Sequence, residues 1–273
     1  MIIHSDWHIH SEASYDASLT LEEIARKTKE FGFCRFGITD HLNFNDPSFI
    51  GDLKKSAQLV KEFQRCDPRI VLGVELTPIE KGEFDYIAKN GTREGYGNER
   101  SMGIELGMTK EELKALGVRY AIGASHWRID IPERKSGTPE ELIKEWHRQQ
   151  LWLACDERVT ILGHPWYNGN GAWYEDFTLI PRTMNQELAA ALKENQKYAE
   201  CNSHFFTASK ATEKFRHQYA EFLRELHEMG IPITYGSDSH KSYGDSHLAA
   251  EKYLLAAGFK DGDIKELDEK SFW

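Results

Sequence analysis

Residues 2–10 read IIHSDWHIH, a short apolar run that ends in two histidines separated by one residue. In a strand, side chains two residues apart point to the same side, so His8 and His10 are expected to face one point. The same arrangement, an apolar run ending in His, Asp or Glu, recurs along the chain. The later polar ends are His41, Glu75, His126, His164, and Asp238 with His240.

Amphipathic stretches with helical spacing separate these runs. The first helix is predicted over residues 21–31, entered through Thr20 with Glu23 three residues on, a capping-box pattern. The predicted strands cover 2–7, 33–39, 69–76, 118–124, 159–163, 198–202 and 231–236, and the other helices 49–66, 141–155, 186–195, 211–229 and 248–257. Such alternation predicts βαβ units and a parallel sheet, which these patterns leave free to close or stay open.

Two longer segments carry no clear period. Residues 77–108 are rich in glycine and charge, and residues 166–182 are rich in glycine, asparagine and aromatic side chains. Long loops in compact domains are commonly lids or binding loops. We predict one domain over residues 1–273, with an inserted loop region at about 77–117.

The composition excludes several classes of protein. A net charge of −10 argues against a broad basic surface for nucleic acid or anionic lipid. No apolar run approaches the roughly 18 residues that a membrane helix needs, and the first residues do not read as a signal peptide. Four cysteines without a CxxC pair predict reduced, mostly buried thiols in a cytoplasmic protein.

The polar strand ends predict a metal site. All strand carboxyl ends lie on one face of a parallel α/β fold, so these residues are expected to converge. Imidazoles and carboxylates together suit a divalent transition metal, with Glu75 as the candidate bridge. Taken singly, Asp238 could cap a helix and Glu75 could pair with a lysine. Ligand-type residues after six of seven predicted strands favour the metal site. The remaining histidines are expected at the surface: His147, His217, His227 and His247.

A set of six motifs resembles one known family. The motifs are DWHIHS at 6–11, ITDHLN at 38–43, GVEL at 73–76, ASHW at 124–127, GHPW at 163–166 and GSDSH at 236–240. Together they resemble the PHP family (polymerase and histidinol phosphatase). The resemblance implies an α/β fold, a distorted (β/α)7 TIM-like barrel with the site at the carboxyl ends of its strands. It also implies two to three divalent ions, usually zinc, iron or manganese, and hydrolysis of phosphoesters.

The same resemblance assigns ligands to three ions. The first would be held by His8, His10, Glu75 and Asp238, and the second by Glu75, His126 and His164. The third would be held by His41, His240 and Asp16, a position that is His in some members and Asp in others. Asp6 and Asp40 stand beside ligands and are interpreted as groups that orient imidazoles.

The implied reaction is attack of a metal-activated hydroxide on the phosphorus of a small phosphate ester. Glu75 and Asp238 would belong to the catalytic set, and His204 would either protonate the leaving group or be a loop histidine without that role. Arg128 and Lys241 are candidate phosphate contacts, and Arg93 and Arg100 are further ones unless they are solvated surface charges. The aromatic residues near the strand ends either stack on a planar leaving group or pack the barrel rim: Trp127, Trp166, Tyr167 and Trp173.

Two other functions remain open from the sequence. An amidohydrolase-like enzyme that cleaves C–N bonds would share the His-x-His motif, but it commonly bridges its metals with a modified lysine. A non-catalytic metal-binding module would need fewer ligands and a closed site. The favoured hypothesis is a histidinol-phosphatase-like metal-dependent phosphoesterase.

Overall fold

The computed structural model describes residues 1–97, 103–131, 134, 136–169 and 171–273. Its strands are β1 (Ser5–Ile9), β2 (Arg35–Ile38), β3 (His41–Leu42), β4 (Ile70–Leu76), β5 (Ile79–Glu80), β6 (Ile104–Glu105), β7 (Tyr120–Gly123), β8 (Ile161–Leu162), β9 (Tyr198–Asn202) and β10 (Ile233–Gly236). Its helices are α1 (Leu21–Glu30), α2 (Pro47–Phe63), α3 (Lys81–Asn90), α4 (Lys110–Ala115), α5 (Pro139–Cys155), α6 (Arg182–Glu194), α7 (His204–Thr207), α8 (Glu213–Glu228) and α9 (Ser246–Ala256).

Seven parallel strands form a nearly closed barrel. Their order around the sheet, β1-β2-β4-β7-β8-β9-β10, is their order along the chain. The first and last strands meet where Asp238 N donates to His8 O at 2.8 Å and His10 N donates to Ser239 O at 3.0 Å. The predicted (β/α)7 TIM-like barrel is therefore confirmed.

Two strands differ from their predicted limits in ways that matter for the site. Strand β1 begins at Ser5, because the Glu251 carboxylate accepts hydrogen bonds from Ile2 N and Ile3 N. The unpredicted β3 pairs with β4 in a register that sets His41 opposite Glu75. Strand β1 also extends to Ile9 and so includes His8, and β3 places His41 beside Glu75 on the neighbouring strand.

The lower part of the barrel is filled by aromatic side chains. The rings of Trp7 and Tyr120 meet edge to face at 5.7 Å, and Tyr120 Oη donates to Trp7 O. A Cβ on Gly73 would lie 2.6 Å from the Tyr120 ring, so this strand position requires glycine. Because Gly73 is two residues before Glu75 on one strand, the ring packs on the face that carries Glu75.

The inserted region is not a loop, contrary to the prediction. It holds an antiparallel pair of β5 with β6, together with the helices α3 and α4. Helix α3 starts at Glu80, whose side chain accepts from Glu83 N, and ends at Gly91 in the left-handed conformation (φ 72°). Few of its side chains are apolar and buried, so its sequence lacks a helical stripe.

Burial of some side chains also differs from expectation. Cys34, Cys66 and Cys155 are exposed and only Cys201 is buried, so the prediction of mostly buried thiols was wrong. His147 and His247 are buried rather than at the surface. Both rings contact aromatic neighbours, which are Trp166 for His147, and Phe31 and Phe33 for His247. Within the described ranges, no helix is long and apolar enough to cross a membrane.

Candidate metal centre

Glu75 lies at the centre of a histidine cluster at the carboxyl ends of the barrel strands. The side chain is fully buried, and its oxygens lie 2.7–3.4 Å from ring nitrogens of five histidines. Oε1 faces His126 and His164, whereas Oε2 faces His8, His10 and His41. Each carboxylate oxygen thus serves a different group of imidazoles, which is the arrangement of a bridging ligand.

Asp238 approaches the same cluster from the end of β10. Its Oδ1 lies 3.2 Å from His10 Nε2 and 3.5 Å from His8 Nε2. Asn202 Nδ2 donates to the other oxygen at 3.2 Å. Asp238 has a φ of 55°, a conformation costly for non-glycine residues that is often found at functional sites. The residues predicted as the first ligand set therefore lie together, with both carboxylates facing the imidazoles of His8 and His10.

Asp16 and two histidines form a neighbouring group. Asp16 Oδ2 lies 3.3 Å from His41 Nε2 and 3.6 Å from His240 Nε2. The two imidazoles approach to 3.4 Å, and Ser14 Oγ donates to the other Asp16 oxygen at 2.9 Å. The structure thus brings together all nine residues assigned to the three ligand sets.

The donors of this cluster fit divalent metal ions. His8 Nε2 and His10 Nε2 face each other at 3.1 Å beside Glu75, so a shared cation or proton is required between them. His10 Nδ1 and His164 Nδ1 are buried without a hydrogen-bond partner among the described residues. Three groups of ligand atoms each lie within 4.8 Å of one another: His8-His10-Glu75, His41-Glu75-His126 and His10-His41-His240. Mixed nitrogen and oxygen donors at such spacing suit zinc, iron or manganese.

The electrostatics of the cluster keep its carboxylates ionised. Burial raises the pKa of Glu75, but the charges of His8, His41 and His126 outweigh it and hold the pKa well below its usual range. For His41 the two effects have the opposite signs. Burial lowers its pKa, but the carboxylates of Glu75 and Asp16 outweigh burial and raise the pKa to about 10. The carboxylates therefore supply negative charge that two or more cations would offset.

Glu200 is a functional residue that the sequence reasoning missed. Its carboxylate is 1% exposed and lies 2.7 Å from His8 Nδ1. It also accepts from the backbone N–H of His164 and from Asn202 Nδ2. The available signal was a charged residue inside the apolar strand β9, on the same face as Asn202.

The two aspartates expected to orient imidazoles bind backbone and hydroxyl groups instead. Asp6 accepts from His8 N, Ser237 N and Tyr243 Oη. Asp40 accepts from Ser11 N and Ser11 Oγ, both at 2.6 Å. They stabilise the backbone beside the ligands. The residue that contacts the second nitrogen of an imidazole, as predicted for them, is Glu200, at His8 Nδ1.

A cavity of about 400 Å³ opens over the cluster and is bounded in part by Tyr15, Trp127, Tyr167 and Arg134. Trp166 and Trp173 are fully buried and pack beneath the rim. Of the four tryptophan and tyrosine residues singled out from the sequence, Trp127 and Tyr167 thus line the cavity. Tyr15 and Arg134 were not anticipated.

The candidate phosphate contacts lie elsewhere. Arg128 is 6% exposed, and its guanidinium binds the Asp130 carboxylate and Ser136 O away from the cavity wall. Arg93 pairs with Glu83, and Lys241 is exposed. Arg100 lies outside the described residues.

His204 begins α7, and its ring meets Tyr167 edge to face at 5.3 Å. Burial lowers the pKa of His204, so the ring is neutral near pH 7. A donor role therefore requires the substrate's own charge to raise that pKa.

The chain belongs to the PHP domain family, whose model matches residues 6–204. A probable phosphatase of Acetivibrio thermocellus is 28% identical over 241 residues, covering 87% of this chain and 80% of that protein. The histidinol phosphate phosphatase of Lactococcus lactis, solved with zinc, L-histidinol and phosphate, superposes with a TM-score of 0.66 at 20% identity, covering 94% of both chains. That likeness supports the fold.

Family and site together define the class of this protein as a metal-dependent hydrolase of phosphoric esters. The C–N hydrolase alternative gains no support, because Glu75 occupies the bridging position. A purely structural metal module is also disfavoured, since the ligands border an open cavity.

Proposed function

We propose that this protein is a phosphatase of small phosphate esters, histidinol-phosphatase-like in its chemistry. Two or three divalent ions would be held by nine residues: His8, His10, Asp16, His41, Glu75, His126, His164, Asp238 and His240. The observation that carries the proposal is the position of Glu75, whose two oxygens face two separate groups of imidazoles.

When bound, divalent ions would neutralise phosphoryl oxygens and acidify a water molecule. The chain's own contribution is to fix the donors. Glu75 and Asp238 carry the negative charge of the site, and Glu200 holds the His8 ring through Nδ1. Trp127 and Tyr167 form part of the wall of the cavity above these donors. The negative charge of a bound phosphate ester would raise the pKa of His204, and the protonated ring would then donate a proton to the leaving oxygen.

The decisive experiment combines metal analysis with a substrate panel. Protein loaded with zinc, iron or manganese should hydrolyse 4-nitrophenyl phosphate, histidinol phosphate or a phosphodiester, and a chelator should abolish turnover. His126→Gln should lose nearly all activity while keeping the fold. His217→Gln, on the exposed side of α8, is the matched control and should remain active.

Failure of every phosphoester with all three metals would contradict the proposal. Full activity of His126→Gln would instead contradict the ion assigned to His126 and His164. Measured metal content separates these outcomes, because fewer than two tightly bound ions per chain also contradicts the proposed centre.

A further inference from the structure

Outside the metal cluster, the described wall of the cavity carries one positive side chain and no carboxylate. A leaving group with a positive charge, such as an amine, would need a carboxylate there. Among the lining residues that the structure describes, Arg134 is the one lysine or arginine. The lining carboxylates in that same set, Asp16 and Asp238, both belong to the proposed metal ligands. An ammonium group on the substrate would therefore meet no carboxylate of its own on the described wall.

Arg134 is held rigidly by the inserted region. Its Nη2 lies 2.6 Å from both oxygens of Glu83, a residue of α3 that is 2% exposed. Its guanidinium also lies over the rings of Phe44 and Trp127, at 5.4 Å and 5.2 Å. A planar guanidinium held by a carboxylate at one nitrogen and by two rings presents its remaining N–H groups in a set direction.

A second nitrogen of the Arg134 guanidinium has no hydrogen-bond partner among the described residues. This atom, Nη1, is buried. Glu83 also faces Arg93 at 3.2 Å, so one carboxylate is shared by two guanidinium groups. Arginine is not deprotonated in proteins, and an unsatisfied buried N–H is costly. Because Arg134 lines the cavity, an anionic group bound there would lie beside this guanidinium.

Flat aromatic faces accompany this donor. Trp127 and Tyr167 line the cavity, and Tyr15 lines it while remaining 60% exposed. Tyr15 is supported edge to face by Phe49 at 5.3 Å, which holds the ring in place although it is open to solvent. Rings in such positions favour a planar group that stacks between them.

We propose that Arg134 determines substrate specificity, and that the preferred esters have an aromatic leaving group that carries a second negative charge. This inference rests on the proposed phosphatase function. Glu83 is a positioning residue that acts through Arg134. The inserted region, through α3, thereby selects the leaving group without contacting the metal ligands.

The test compares aryl phosphates that differ in charge: phenyl phosphate, 3- and 4-carboxyphenyl phosphate, and 4-(aminomethyl)phenyl phosphate. Phosphate release gives kcat/KM for metal-loaded wild type and for Arg134→Met, and the variant-to-wild-type ratio for each substrate cancels intrinsic reactivity. We expect Arg134→Met to lower kcat/KM about 10- to 100-fold for the better carboxyphenyl ester, the loss of one charge-assisted hydrogen bond. Phenyl phosphate should change less than about threefold.

Two further variants guard against a merely structural effect. Arg148→Met removes an arginine that pairs with the buried Glu145 away from the described cavity lining, and it should leave all ratios unchanged. Glu83→Gln keeps the charge of Arg134 but releases its position. It should reduce the preference for carboxyphenyl over phenyl phosphate, even if Arg134→Met does not fold.

Equal losses on all substrates in Arg134→Met, or a wild-type preference for the aminomethyl ester, would overturn the specificity proposal. In either case, hydrolysis of phenyl phosphate would still support the proposed phosphatase function. If wild type hydrolyses none of these esters and no 4-nitrophenyl phosphate, the proposed function fails and this inference fails with it.

Discussion

The Glu200 carboxylate lies 2.7 Å from His8 Nδ1, and this contact turns His8 Nε2 towards Glu75 and Asp238. Metal-binding histidines commonly bind a carboxylate through their second nitrogen, which fixes the tautomer and makes the ligand more basic. Glu200 comes from β9 and His8 from β1, so the contact spans the one strand between them, β10.

Replacing Glu200 with Gln should weaken metal binding. The amide preserves the size of the side chain but removes the charge that holds His8, so affinity should fall about 10- to 100-fold. Competition against a chromogenic chelator measures the effect, and far-UV circular dichroism checks the fold. Unchanged affinity would mean that His8 is oriented without Glu200.

Gly236 provides the space that Glu200 needs. A Cβ there would lie 2.6 Å from His8 Cβ and would overlap Glu200 Oε1. Gly236→Ala should therefore destabilise the protein by about 1–3 kcal/mol, as overpacked cores do, and weaken metal binding as well. Urea denaturation of the metal-free protein measures the first effect.

Gly51→Ala is the control for that substitution, and we expect it to raise the free energy of unfolding instead of lowering it. Gly51 lies in α2 and is exposed, and a Cβ at this position would meet no neighbouring side chain of the described residues within 4 Å. Alanine should stabilise the helix by about 0.5–1 kcal/mol. If both substitutions shift stability equally, the packing argument for Gly236 is wrong.

Asp16→Asn should selectively remove the ion assigned to Asp16, His41 and His240. The amide is a poorer metal ligand than the carboxylate, and the two imidazoles alone make a weak site. Elemental analysis after dialysis should find one ion fewer than in wild type. Asp52→Asn, in α2 and outside the cluster, should keep the wild-type content. Equal metal content in both variants would argue against the third ion.

His204→Gln should reveal a proton donor through the dependence on the leaving group. A 4-nitrophenolate leaves without a proton, so its release should change little, whereas an alkyl ester should slow by about 100-fold. Comparing kcat for 4-nitrophenyl phosphate and an alkyl phosphate makes the measurement. Equal slowing of both would assign His204 a packing role against Tyr167.

The sequence patterns sufficed for a parallel sheet and for the convergence of residues as distant as His8 and His240, because parallel strands end on the same face and polar residues stand at those ends. The closure of that sheet into a barrel was implied only by the resemblance to the PHP family. Glu200 escaped this reasoning because it lies within a strand, and strand interiors are expected to be core. Its contact with His8 depends on the closure of the barrel, which leaves only β10 between β9 and β1.

The sequence did not predict Arg134 or α3, for a different reason. Arg134 lies in the segment between β7 and α5, which has no period that would predict where a side chain points. Helix α3 is built largely from polar residues, and its buried Glu83 resembles a surface charge in the sequence. Only the fold reveals that Glu83 and Arg134 meet.

The closure of the barrel has a consequence for biosynthesis. Ligands for one ion come from the first strand and from the residues just after the last, joined by the hydrogen bond between Asp238 N and His8 O. During translation His8 and His10 leave the ribosome long before Asp238. The full ligand set therefore forms only after residues 233–240 have emerged, and metal acquisition should coincide with the final folding step.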